Sequence, residues 1–165
     1  MSICALSCAE MLAHNEESTG RWEQWFTKNQ AALDVPCDIM NTGSVRMLVR
    51  HIFAVELRFS LRLLGEPPVE YDKLPSATIE ELFAIHRAAV KNYEVFLSAA
   101  NGPVMEEILE VVTRSAGTFR ASRRSLFVHA MLHSMRHWAQ LATLLRTAGM
   151  KPDWPQDYLF YAMVK

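Results

Sequence analysis

Apolar positions along this chain recur mostly at intervals of three and four, the spacing that aligns side chains on one face of an α-helix. Residues 3–28 open on Ile3, Leu6, Met11 and Leu12 and close on Trp22, Trp25 and Phe26. Residues 44–64 carry Val45, Leu48, Ile52, Val55, Phe59 and Leu63. A third helix is predicted from near Ser76, with Ile79, Leu82, Phe83, Val90, Tyr93 and Leu97, ending before Asn101-Gly102-Pro103. The fourth begins after Ser122 and runs to about Ala148, with Leu126, Ala130, Leu141 and Leu144 on its stripe. Turn residues agree with these limits. Asp34, Pro36, Asn41 and Gly43 punctuate residues 29–43, and Ser44 and Ser76 are candidate caps. Gly65 and Gly149 follow the ends of the second and fourth helices.

One segment breaks the helical period. Ile108-Leu109-Glu110-Val111-Val112-Thr113 is β-branched and apolar, and Arg114–Gly117 reads as a turn. Thr118–Ala121 returns, so a short exposed hairpin is expected, with a helix over Glu106–Val112 as the alternative. A short last helix is predicted after Pro155, with Tyr158, Leu159, Phe160 and Met163 packing back. Four long amphipathic helices without a βαβ pattern predict an all-α four-helix bundle, one domain over residues 1–165.

Polar residues interrupt the stripes at informative places. His133 and His137 lie one turn apart on the fourth stripe, the spacing two imidazoles need to share an ion from one helix. Metal sites in bundles draw on facing helices, and His51, beside the second stripe, is the best third ligand. Three neutral imidazoles suit zinc, nickel, iron or copper and leave a coordination position free, as catalytic sites do. His129 lies one turn before His133. A helix drifts by about 40° per four residues, so His129 is expected to support the site or to be a hydrogen-bonded core residue. His86 falls between Phe83 and Val90 on a buried stripe, and His14 is expected at the surface.

Gln140, three residues after His137, can donate a hydrogen bond to a ligand or substrate. Arg58, two turns after His51, either holds a substrate carboxylate or, on the plainer reading, is a solvated arginine at the bundle edge. Asn15 and Thr19 stand where a core helix carries leucines. Either the first helix bends or is exposed there, or it faces a polar cavity. Glu56 lies about 140° round its helix from His51, so it is not expected to act as a base at the triad.

Composition narrows the partners. The formal net charge is −1, which leaves no basic excess to hold a nucleic-acid backbone. No apolar run approaches a membrane span, and the start lacks a basic signal-peptide region, so a cytoplasmic protein is expected. Three cysteines make no disulfide framework. Cys4 and Cys8, one turn apart, are expected to be buried free thiols, with a metal or redox pair as the alternative.

Two stretches carry a family resemblance. Residues 44–52, Ser-Val-Arg-Met-Leu-Val-Arg-His-Ile, resemble the segment leading to the first ligand histidine of the DinB/YfiT-like superfamily of metalloenzymes. Residues 129–140, His-Ala-Met-Leu-His-Ser-Met-Arg-His-Trp-Ala-Gln, are similar to its His-x-x-Asn-His-x-x-x-His-Arg-Gly-Gln pattern, with Gln140 in register. Leu132 replaces the usual asparagine and Trp138-Ala139 replaces Arg-Gly. The resemblance covers almost the whole chain. It implies a four-helix bundle with unusual connection order, a divalent metal on His51, His133 and His137, and often a homodimer. Related members include thiol transferases that use low-molecular-weight thiols.

Together these readings predict a metal-dependent transferase or hydrolase. A divalent ion, zinc or nickel, would activate a low-molecular-weight thiol or water against a small electrophile. Asn15, Arg58, His129 and Gln140 would line or support the cavity. The competing expectation is a non-catalytic dimeric binding or stress protein with a structural metal or none.

Overall fold

Residues 6–113 and 117–161 are described by a computed structural model, which is mostly helical with two small antiparallel hairpins. The long helices are α1 (Cys8–Lys28), α2 (Val45–Leu63), α3 (Ile79–Ala99) and α5 (Arg123–Thr147). Shorter ones are α4 (Gly102–Glu106) and α6 (Tyr158–Tyr161). Each of α2 and α1 packs against both α3 and α5. His51 on α2 and the histidines of α5 therefore lie on neighbouring helices.

Local chemistry sets the helix starts. Ser7 caps α1 in a reciprocal capping box with Glu10. Ser44 accepts from the Met47 amide, and Ser122 from the Ser125 amide. The predicted cap of the third helix is corrected. Thr78, not Ser76, accepts from the Glu81 amide while Glu81 reaches back to the Thr78 amide. A box satisfies two end donors where a lone serine satisfies one, so the cap lies two residues later than expected. The short helix α4 was not foreseen. Asn101 caps it through the Val104 amide, and Pro103 suits its first turn. Ile3 and Cys4 lie outside the described residues.

The expected hairpin is formed by β3 (Ile108–Thr113) and β4 (Gly117–Ser122), in place of the alternative helix over Glu106–Val112. Val111 points into the core, whereas Ile108 and Val112 are exposed. Residues 29–43 hold a minimal pair, β1 (Pro36–Cys37) with β2 (Gly43–Ser44), directly before α2. The C-terminal turn packs differently from expectation. Leu159 and Phe160 are exposed, while Tyr158 and Tyr161 meet His14 edge-on. His14 is consequently half-buried and not fully at the surface. A four-residue helix has too few positions for one continuous apolar face.

The core is continuous and aromatic near the histidines. Trp138 stacks on Trp22 with ring centroids 5.0 Å apart, tying α5 to α1. Phe53 meets Trp138 and Phe83 edge-on. Trp138 is thus a packing residue one position beyond His137. Among the described residues no helix is long and apolar enough to cross a membrane.

Candidate metal centre

His133 and His137 project from α5 toward His51 on α2 because the four-residue spacing keeps both on the inward face. One ring nitrogen from each of the three histidines falls within 4.8 Å of the others. The Nε2 atoms of His51 and His133 face each other at 3.1 Å. Imidazole nitrogens sharing a tetrahedral zinc lie about 3.3 Å apart, from bonds of about 2.0–2.1 Å. The donor set therefore fits a divalent ion in type and in spacing. His133 and His137 are buried and His51 is half-buried.

Gln140 Oε1 accepts a hydrogen bond from His137 Nδ1 at 2.7 Å. That bond fixes the His137 tautomer, leaving the Nε2 lone pair free to ligate. Arg136 Nη2 donates to the same Nε2 at 3.2 Å, as only a neutral imidazole with its proton on Nδ1 allows.

Burial is the main electrostatic cause at these rings. It pulls His51 down to about 4 and His133 to about 2, helped by the other imidazoles and the Arg136 charge. His137 is also lowered, by burial first, with Gln140 opposing and Arg136 assisting. All three imidazoles are thus neutral near pH 7, the form that binds metal. An unfolded histidine titrates near about 6.5, so between that pH and the lower folded values the unfolded chain binds more protons. Stability of the metal-free protein is therefore expected to fall on acidification from pH 6.5 toward 4. The slope should reach at most about 1.4 kcal/mol per pH unit for each imidazole. Melting temperatures of chelated protein across that range check this, and a flat profile would contradict it.

The other candidates go elsewhere. His129 is exposed on α5, 5.7 Å centroid to centroid from His133 and edge-on to Phe59. It is neither in the converging set nor in the core. Arg58 donates to the Val69 carbonyl at 2.8 Å. Asn15 is buried but donates to Glu56 Oε1 at 2.9 Å. An open groove of about 750 Å³ touches Gln140, between α5 and the residue 35–39 segment, and neither Asn15 nor Arg58 lines it. The cavity expected among Asn15, Arg58 and Gln140 is therefore not a single space. Asn15 and Gln140 serve two different polar centres.

The second centre surrounds Glu56, which is 1 % exposed. Its carboxylate accepts from Asn15 Nδ2 of α1, His86 Nδ1 of α3 at 2.7 Å and Ser134 Oγ of α5 at 2.6 Å. Tyr93 of α3 donates to the Glu56 carbonyl at 2.8 Å. Burial alone would raise this carboxyl. The His86 charge and the three donors overcome it and hold the carboxyl below its usual range. One residue thus links all four long helices. Ser134 directly follows His133, so this centre also braces the backbone that carries two of the triad.

Glu56 and Arg136 were missed by stripe reading, although weak signals existed. Asn15 and His86 each replace an apolar residue on a buried stripe, and buried donors require an acceptor. Glu56 supplies it from the side of α2 turned away from His51. Arg136 lies three residues after His133 and four before Gln140, on the line of the site. Cys8 and Cys37 are free thiols, and burial raises the Cys8 thiol, which leaves it unactivated. The family model described as DinB family matches residues 1–164. No curated relative matches the chain.

Proposed function

This chain belongs to the DinB family, and we propose that it is a metal-dependent enzyme of the transferase or hydrolase type. The observation that carries this reading is the convergence of His51, His133 and His137 with His137 oriented by Gln140. The three histidines would hold a divalent ion, zinc or nickel by ligand chemistry. Such an ion supplies Lewis acidity, which lowers the pKa of a thiol or water that it meets. The chain's own residues do the rest. Gln140 keeps the His137 lone pair aimed inward, and the Glu56 centre holds α5 at a fixed height against α2. Three protein ligands leave a position for a small molecule, here a low-molecular-weight thiol attacking an electrophile, or a water.

The fold that goes with this reading is a four-helix bundle acting as one domain. The free thiols Cys8 and Cys37 suit a reducing, cytoplasmic setting. A homodimer would cover the exposed apolar residues Leu132 and Met135 on the outer face of α5.

Chelation separates a catalytic ion from a structural one. The buried core of described residues runs unbroken from Leu12 to Leu145 without metal, so it does not need a metal staple. Exhaustively chelated protein is expected to keep its helical circular dichroism and to melt at a lower temperature, because the ion binds only the native state. Thiol transfer or hydrolysis should vanish on chelation and return with a divalent ion. Collapse of the helical signal would favour a structural metal. Full activity after chelation would remove the ion from the reaction.

A further inference from the structure

The connection between α2 and α3 passes beside the triad. These two helices run in the same direction, because their partners advance together: Phe53 with Phe83, Glu56 with His86 and Ser60 with Asn92. Parallel neighbours cannot be joined by a short turn, so the chain must travel back along the bundle before α3 starts. Residues 66–77 make that journey. Val69 and Leu74 pack against the core, and the regular structure of the segment is one 3-10 turn, Tyr71–Lys73.

Arginines of α2 hold the segment in place. Arg58 Nη1 donates to the Val69 carbonyl at 2.8 Å, Arg50 Nη2 to the Tyr71 carbonyl at 2.7 Å, and Arg46 Nη1 to the Ala77 carbonyl at 2.8 Å. The order runs opposite to α2, so residues 69–77 form a strap along about 18 Å of that helix, at a rise of about 1.5 Å per residue. His51 adjoins Arg50, where the middle of the strap is held. The Tyr71 ring stands 6.4 Å from the His51 ring, centroid to centroid. Tyr71 therefore borders the triad member that is only half-buried.

The middle of the strap is held differently from its end. Arg46 also pairs with Asp34 at 3.2 Å. Arg50 is 8 % exposed and, among the described residues, pairs with no carboxylate. Its guanidinium carbon lies 4.8 Å from the Tyr71 ring centre, and its Nε has no hydrogen-bond partner. The carbonyl bond and the ring contact thus both go to Tyr71. A buried charge with incomplete partners gains hydration when its cover lifts, which offsets the bonds lost. The middle can lift while the ends stay anchored.

We infer that residues 69–77 are a strap that gates the metal centre, latched by Arg50 on Tyr71, so that lifting of Tyr71 sets how fast an ion or a small molecule enters and leaves. This inference rests on the three-histidine metal reading and adds control of access to it. Arg50 is a positioning residue and Tyr71 a cover, and neither is a ligand.

Two measurements test the gate. Wild type and the Arg50→Gln, Tyr71→Leu and Arg58→Gln variants are loaded with Co²⁺, and its release into excess EDTA is followed by visible absorption. Trypsin cleavage after Lys73, an exposed residue of the strap, is followed by mass spectrometry on the metal-free proteins. Cleavage reports opening of the strap with no metal present. Arg50→Gln loses the charge and the ring contact, whereas Tyr71→Leu loses the ring and keeps the carbonyl. Both are expected to release Co²⁺ about tenfold faster or more, and to be cut faster after Lys73. Their equilibrium affinity for Co²⁺ should stay within about threefold of wild type, because a gate speeds entry and exit alike. Damage to the ligands would instead lower the affinity. Arg58→Gln, whose anchor lies two turns from His51, should release Co²⁺ at the wild-type rate. If Arg50→Gln does not fold, Tyr71→Leu carries the comparison. Release at the wild-type rate in Tyr71→Leu, or unchanged cleavage after Lys73, overturns the inference and leaves the metal reading standing. So does an equal acceleration in Arg58→Gln, or an affinity that falls in step with faster release. A wild type that binds no Co²⁺ overturns both.

Discussion

Glu56→Ala is expected to destabilise the protein by about 4 kcal/mol, within the range of about 3–5 kcal/mol for breaking a buried charged pair. The substitution strands three donors in the core: Asn15 Nδ2, His86 Nδ1 and Ser134 Oγ. Each belongs to a different helix, so relaxation at one site cannot rescue the others. Single domains have a total stability of about 5–15 kcal/mol, so the variant should lie near the edge of folding. Urea denaturation of both proteins at pH 7 measures the difference as a lower midpoint at similar slope. Glu56→Gln is the informative companion. Its oxygen can still accept from Asn15 and Ser134, so a loss smaller than that of alanine is expected. A loss under about 1 kcal/mol for alanine would contradict the centre's role, since such values are ordinary for single neutral hydrogen bonds.

The carboxyl's lowered pKa also has a direction in pH. Its stabilisation is fully present above the unfolded carboxyl value and is lost as pH falls through the lower folded one. That loss begins only below the unfolded carboxyl value, so a loss of stability that already begins near pH 6.5 belongs to the triad histidines.

His133→Ala is expected to weaken divalent-metal binding by far more than about 100-fold, the upper end of what loss of an outer hydrogen-bond partner costs. His133 sits between the other two ligands, with Nε2 3.1 Å from that of His51 and its ring centroid 4.4 Å from that of His137. Two remaining imidazoles cannot close a site. The metal-free fold should barely change, because His133 Nδ1 is buried without a hydrogen-bond partner and the native fold gains little from it. Gln140→Ala should keep all three ligands but release the His137 ring, costing about 10–100-fold in affinity. Calorimetric titration with Zn²⁺ and elemental analysis of untagged protein rank the three. Equal affinity in wild type and His133→Ala would sink the triad as a metal site.

The two substitutions divide the site's roles. Glu56 is predicted to govern stability with little direct effect on the ion, and His133 the reverse. They meet at the adjacent residues His133 and Ser134, where one turn of α5 serves both centres. A metal-affinity change in Glu56→Gln would measure how tightly the two are coupled, as their proximity along one helix leads one to expect.

The repeating apolar positions were enough to determine the four long helices, because helical periodicity is a local property of sequence. Ser44 and Ser122 marked two helix starts for the same reason: a cap bonds within three residues of itself. The β-branched run at residues 108–113 marked the hairpin, and the spacing of His133 and His137 already placed both on one face of α5. What lay beyond sequence was the choice of partner across helices. Asn15 read as a residue facing some polar space, yet only the packing of α1 against α3 and α5 set it on Glu56 and not beside the triad. Glu56 was turned away from His51 in both readings, but the sequence could not say that His86, Asn15 and Ser134 would meet it there. Gln140 became an acceptor for His137, and Arg136 a neighbour of the same ring, through side-chain directions that spacing leaves open. Hydrogen-bond partners between helices depend on the rotation and height of each helix. Those are decided by the fit of the whole core, with Trp22 stacked on Trp138 and Phe53 set between α3 and α5, and by no single stretch of chain.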